Sequence, residues 1–185
     1  MKIICAGRQI SGKNPVHIVE AVAREKEVRL LCVGNGPLHH LVVAKARSLC
    51  PDRCQFIRSL ENKELIKKML EADVVTLNSY YHGWSKVMIE AMLLGKPVIV
   101  NQEVARKVKE LSVRPKVCEF CPDTADGYAF AIRKMKNKKK RKKLAQRALR
   151  WAWLLANPER AQKKQAQAIL KVIQNTSTAG RKCPV

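Results

Sequence analysis

Aromatic side chains make up only 5% of this 185-residue chain, and acidic residues number 15 against 37 lysines and arginines. The first shortage leaves few platforms on which unpaired bases could stack. The second leaves a formal net charge of +22, although a hydrophobic content of 46% argues against wholesale disorder. No stretch approaches the ~20 consecutive apolar residues needed to span a bilayer as a helix. The opening Met1-Lys2-Ile3-Ile4-Cys5 runs directly into what reads as a strand, so a cytosolic (cytoplasmic) chain without a signal peptide is expected. The length suits one domain with one core and leaves no room for a second full domain.

The charge is unevenly placed. Residues 1–103 carry a net +5 and residues 104–185 a net +17, so the positive field belongs to the second part of the chain. Lys138 to Lys143 are six consecutive basic residues, inside a stretch, 133–150, that holds 11 lysines and arginines among 18 residues. Seven cysteines are scattered, with only Cys118 and Cys121 forming a CxxC pair that lacks a second pair of ligands. Three readings stay open for them: buried free thiols, structural disulfides, or a zinc or redox site.

Apolar β-branched runs alternate with amphipathic segments. Strands are predicted at 2–6, 28–33, 54–57, 73–77 and 97–100, with a weaker sixth at 117–120. Helices are predicted at 14–25, 37–49, 61–71 and 85–94. Continuous apolar strands separated by helices of this length require a parallel sheet covered on both faces, which makes the chain α/β, Rossmann-like and doubly wound. After Asp123 the pattern turns wholly helical, over 123–136, 138–156 and 158–174, with Pro158 in a first turn. One domain spanning 1–174 is therefore expected, a sheet over 1–122 and a basic helical tail over 123–174, followed by a flexible end at 175–185.

In such sheets ligands sit at the strand C-termini. Three loops there are candidates. Gly7-Arg8-Gln9-Ile10-Ser11-Gly12-Lys13 carries two cations five residues apart, both able to reach one diphosphate. Val33-Gly34-Asn35-Gly36-Pro37 lacks the third glycine of the dinucleotide fingerprint, so Gly34 and Gly36 fit either close backbone approach to a nucleotide or a plain turn. Asn78 to Val100, NSYYHGWSKVMIEAMLLGKPVIV, combines a strand end, a turn, a helix start and the next strand, and points helix N–H groups at the crevice. Within it, Glu90 lies between apolar Ile89 and Ala91, where an unpartnered carboxylate is costly. His17, His39 and His40 read as surface or helix-edge residues with no metal geometry around them.

The order of these loops resembles the C-terminal, donor-binding domain of retaining GT-B glycosyltransferases, the family called glycosyltransferase group 1. The family's GR(x4)K element matches Gly7-Arg8 with Lys13, and its VGxGP element matches Val33 to Pro37. Its PSxxEGFGxxxxEAMxxGxPVI block matches Ser79 to Ser85, Glu90-Ala91-Met92 and Gly95 to Ile99. The resemblance implies that Arg8 and Lys13 hold a donor diphosphate, by fork geometry and by point charge. It implies that Glu90 accepts hydrogen bonds from ribose hydroxyls and that Gly83, Trp84, Ser85, Lys86 and Val87 present backbone N–H groups. It also places a nucleobase beside Arg58, Ser59 and Leu60. No resident cofactor and no essential metal are implied; the nucleotide sugar is the donor substrate.

Departures are specific. The family's first acid is His82, mostly uncharged at neutral pH, which could still position a sugar hydroxyl. Its Gly-Gly turn is Asn101-Gln102-Glu103, and the proline before Ser79 is Asn78. The acceptor-binding half of such enzymes is missing from this sequence, so a separate acceptor-binding chain is one expected partner. Two rival readings remain, a non-catalytic nucleotide-sugar binding module and a basic nucleic-acid-associated protein. For the basic helices, Trp151, Trp153, Leu154 and Leu155 after the cations suggest peripheral contact with the inner face of an anionic membrane or with a lipid-linked acceptor. A plain solvated basic face, which could also dock an acidic partner domain, is the other reading of them. Nucleic acid is the weakest reading, since no groove-reading motif accompanies the lysines.

Overall fold

The computed structural model describes residues 1–13, 15–80, 85–107 and 116–156. Six strands, β1 (Lys2–Ala6), β2 (Arg29–Val33), β3 (Cys54–Ile57), β4 (Val74–Leu77), β5 (Val98–Asn101) and β6 (Glu119–Cys121), form one sheet in the order β3-β2-β1-β4-β5-β6. Every pairing is parallel, with Cys5 opposite Cys32 on one side of β1 and opposite Thr76 on the other. The expected α/β, Rossmann-like class is therefore the one observed. The helices are α1 (Val16–Ala23), α2 (His39–Leu49), α3 (Asn62–Glu71), α4 (Lys86–Leu93), α5 (Gln102–Lys107), α6 (Ala125–Met135) and α7 (Lys138–Ala156). The short α5 was not foreseen, and the helix expected at 158–174 and the end at 175–185 lie outside the described residues.

Residue alternation along each strand assigns side chains to two cores. On one face Ile3, Cys5, Leu30 and Cys32 pack with Ile18 and Val22 of α1, Val42 of α2 and Ile132 of α6. On the other, Ile4, Ala6, Val75 and Leu77 pack with Met69 of α3, Met88 and Met92 of α4 and Trp151 of α7. All four residues of β4 and all four of β5 are buried, as strands covered on both faces must be. The helices after residue 123 thus cover both faces of the sheet. Tyr128 of α6 is fully buried and donates its hydroxyl to the Leu77 carbonyl at 3.1 Å.

Helix ends are satisfied by side chains distant in sequence. The Arg53 guanidinium donates to the carbonyls of Val22, Ala23 and Glu25 at 2.8–3.0 Å, closing the C-terminus of α1. Lys96 does the same for α3 through Leu70 and Ala72. The buried Glu25 carboxylate pairs with Arg133 and Lys136, both at 2.7 Å, joining α1 to α6. Burial by itself would raise the Glu25 pKa, but the hydrogen bonds and charges of Lys136 and Arg133 outweigh it and hold the group below its ordinary 4.5.

Cys5, Cys32, Cys50, Cys118 and Cys121 are buried and Cys54 is half-buried, all as free thiols, while Cys183 lies outside the described residues. Buried free thiols are thus the reading that holds for these six. Burial, with the charges of Asp123 and Glu119, pushes the Cys121 thiol up to about 12, and burial pushes Cys118 higher still.

Two stability outcomes follow from this packing. Trp151 is 4% exposed and Trp153 65% exposed. In urea unfolding Trp151→Ala should cost about 3–5 kcal/mol, and Trp153→Ala should stay within about 0.5 kcal/mol of the parent. Because the Glu25 pKa is depressed on folding, its contribution is present above pH 4.5 and is lost as pH falls through the lower folded value. Glu25→Gln should therefore destabilise the protein at pH 7, and unfolding curves taken at successively lower pH should show the difference from the parent shrinking.

Candidate functional site

The strand order reverses between β1 and β4, so the loop after β1 turns toward one face of the sheet and the loop after β4 toward the other, leaving a crevice at their C-terminal ends. Cys5, Ala6, Gly7, Lys13, Leu77, Asn78 and Ser85 line it. A larger hollow of about 360 Å³ lies over the strand starts, among Lys2, Arg29, Asp52, Arg53, Lys68 and Glu71. It has no loop from a strand C-terminus and no helix N-terminus around it apart from Ile57, so the crevice is the better candidate despite its smaller volume.

The β1 and β2 loops are laced to each other. Gly7 N–H donates to the Val33 carbonyl, Gln9 N–H to Asn35 and Leu38 N–H to Gln9, at 2.9–3.0 Å. A Cβ on Gly34 would stand 2.0 Å from the Gly7 carbonyl oxygen, and one on Gly36 2.5 Å from that of Gln9. Both glycines therefore permit close approach of one loop to the other, and Gly34, with φ +139°, also adopts a backbone that other residues avoid.

The buried Gln9 locks this contact. Its Nε2 donates to the Gly34 carbonyl at 2.9 Å, and its Oε1 accepts from Nδ1 of His39 at 2.9 Å. Sequence reading passed over Gln9 and took His39 for an edge residue. His39 is instead buried at the start of α2, and burial, followed by the charges of Arg58 and His40, lowers its pKa, which leaves it neutral at pH 7.

On this scaffold Arg8, Arg58 and Ser59 are exposed, and Lys13 and Leu60 are half-buried. Lys13 is in the crevice and Leu60 packs against the second core. The exposed Lys86 and half-buried Val87 begin α4, and Ser85 is its N-cap residue, but the Ser85 side chain makes no capping hydrogen bond. The first-turn N–H groups are thus not used by their own cap. One turn on, the Glu90 side chain is 17% exposed, with Lys86 3.6 Å from Oε1, and Oε2 is buried with no hydrogen-bond partner among the described residues. A buried carboxylate oxygen without a donor is costly unless something else donates to it. His82, Gly83 and Trp84 lie outside the described residues.

Two asparagines at adjacent strand ends open a hydrogen-bond network beside the crevice. Asn101 Nδ2 donates to Asn78 Oδ1 at 2.5 Å, and Asn78 Nδ2 donates to Asp123 Oδ1 at 2.6 Å. The same carboxylate accepts from His17 Nδ1 at 3.0 Å and from the Tyr80 hydroxyl at 2.5 Å. Tyr80 N–H also donates to the Gly12 carbonyl at 2.9 Å. Asp123 thereby ties the segment after β4 to α1 and to the ends of β5 and β6. Sequence reading missed Asp123, Tyr80 and His17; the signal available was the pair of asparagines at two adjacent strand ends. The hydrogen bond to Asp123, then burial, then the Asp123 and Glu103 charges push the Tyr80 phenol up to about 12. Among the described residues no three His, Cys, Asp or Glu side chains are placed to hold a metal ion.

Asp123→Ala should cost about 1–3 kcal/mol in urea unfolding, because Asn78, Tyr80 and His17 lose one shared acceptor. Spectrophotometric titration should show a tyrosine ionising near 12 that is absent in Tyr80→Phe and falls toward about 10 in Asp123→Asn.

Comparison with known proteins agrees with this geometry. A 107-residue stretch is 30% identical to the MMP α-(1→4)-mannosyltransferase of Mycolicibacterium hassiacum, covering 54% of this chain and 25% of that protein. The fold superimposes on the catalytic domain of cholesterol-α-glucosyltransferase from Helicobacter pylori with a TM-score of 0.73 at 19% identity, over 84% of this chain and 99% of that one. It matches Anabaena HepE in complex with UDP-glucose (TM-score 0.73, 18% identity, 92% and 48% covered). It also matches sucrose-phosphate synthase of Thermosynechococcus elongatus (TM-score 0.71, 24% identity, 94% and 46% covered). The chain thus spans a quarter of the mannosyltransferase and about half of the last two. The model of the family described as glycosyl transferases group 1 matches residues 1–151, and the chain belongs to that family.

Proposed function

We propose that this chain is the donor-binding part of a retaining glycosyltransferase that takes a hexose from a nucleotide-diphosphate sugar without an essential metal. The observation that carries the reading is the Glu90 carboxylate, whose buried Oε2 has no donor among the described residues, one turn from the start of α4, where Ser85 makes no side-chain cap, at the sheet's switch point. A ribose offers two adjacent hydroxyls that suit such an acceptor. The α4 N–H groups, with Arg8 and Lys13, would then meet the diphosphate, and Arg58, Ser59 and Leu60 would flank the base. HepE, to which the fold is similar, was solved with UDP-glucose, which supports a ligand of this class.

In the transfer step charge grows on the leaving diphosphate as its bond to the sugar breaks. Fixed N–H dipoles at the α4 N-terminus and the cations Arg8 and Lys13 would stabilise that charge with little reorganisation. His82 would position a sugar hydroxyl. The acceptor is bound by protein outside this span, in the same or another chain, and the reaction takes place in the cytoplasm, where six free thiols would stay reduced. A second reading, a nucleotide-sugar binder without transfer, is favoured by one observation: an imidazole stands at His82 where the family carries a carboxylate.

Calorimetry of the chain against UDP-, GDP- and ADP-sugars tests the proposal. One of them should bind, Glu90→Gln should weaken it about 10–100-fold, and Arg8→Ala with Lys13→Ala should abolish it. Heat from none of the panel would overturn both readings. Binding with no transfer, even after an acceptor-binding partner is supplied, would leave the non-catalytic binder standing.

A further inference from the structure

We propose that the outward face of α7 is a docking surface for an anionic lipid bilayer, on which the helix lies flat with its cations at the headgroups and its last turn in the interface. This inference does not depend on the donor site. It starts from a charge imbalance. The helix KKKRKKLAQRALRWAWLLA holds eight cations and no acid. Arg141 is used internally, pairing with Asp73 at 3.2 Å and donating to the Met135 carbonyl. None of the other seven has a carboxylate partner among the described residues. Like charges three and four residues apart on a helix oppose its formation, so this arrangement is destabilising in water and is relieved by a polyanion.

The packing of α7 determines which side is offered. Leu144, Ala145, Ala148, Trp151 and Ala152 are buried against the domain. At 3.6 residues per turn the opposite side carries Lys139, Lys142, Lys143, Arg147 and Arg150, all exposed, and continues into Trp153 and Leu154, 65% and 38% exposed. Nineteen residues make a ridge about 28 Å long, cationic for most of its length and apolar at its end. The charged part matches the negative leaflet of a membrane. A Trp and Leu exposed together beside it match the depth where indole rings settle. A nucleic-acid backbone would satisfy the cations and leave Leu154 in water.

A groove of about 270 Å³ beside the ridge adds a place for one headgroup phosphate. Lys116 and Lys134 neutralise the buried Glu119 at 2.8 and 3.0 Å on its floor, while Lys140, Lys143 and Arg147 line the same groove without an acidic partner among the described residues.

The test is sedimentation of the full chain with vesicles of phosphatidylcholine alone or mixed with phosphatidylglycerol, with tryptophan emission recorded and a single-stranded RNA oligonucleotide as a competing ligand. The chain should partition onto the phosphatidylglycerol vesicles only, with a blue shift and a loss of binding in high salt. Lys143→Glu with Arg147→Glu should lower partition at least about tenfold. Trp153→Ala should lower it roughly tenfold with its thermal melt unchanged, and Trp153→Phe should retain binding while removing most of the blue shift. Equal partition onto neutral vesicles, indifference to these substitutions, or tighter binding to the RNA than to anionic vesicles would each overturn the proposal.

Discussion

Strand β1 is paired on both sides, with β2 and with β4, and the chain can make those two parallel pairings only by sending its connections to opposite faces of the sheet. Everything at the candidate site descends from that constraint. The β1 loop, with Gly7, Arg8 and Lys13, is pulled one way to start α1. The β4 segment, with Asn78, Ser79 and Tyr80, is pulled the other way toward α4. The crevice between them exists because a parallel sheet cannot fill the place where its winding reverses.

Keeping that crevice in shape takes polar contacts that are local in space and remote in sequence. Gln9 joins the β1 loop to the β2 loop and to His39, while Asp123 joins the β4 segment to α1 and β5. Both side chains sit in low-dielectric surroundings, where a satisfied hydrogen-bond network is rigid and an unsatisfied one is costly. Glu90 contrasts with these residues, since its buried Oε2 has no donor among the described residues.

The excess of positive charge obeys a similar division. Cations facing the body of the domain are paired: Arg133 and Lys136 with Glu25, Lys134 with Glu119, Arg141 with Asp73. Those on the outer ridge of α7 are exposed, with no acidic partner among the described residues. Part of the net charge of +22 is tolerated because seven cations without a carboxylate partner among the described residues stand on one surface helix, where water and salt screen the repulsion.

By itself the sequence determined the class of fold and, up to their end residues, the six strands and the described helices other than α5. Those features follow from local periodicity, glycine and proline placement, and motifs in register, which need no knowledge of distant contacts. Tertiary structure alone decided the rest. It showed that Gly34 and Gly36 make room for a neighbouring loop, that His39 is buried, and that the six described cysteines are free thiols. It also showed that Asp123, 45 residues from Asn78, holds the segment leading to α4. Each of these depends on which backbones come within a few ångströms across the sheet, a property of the order β3-β2-β1-β4-β5-β6 that no single stretch of sequence contains.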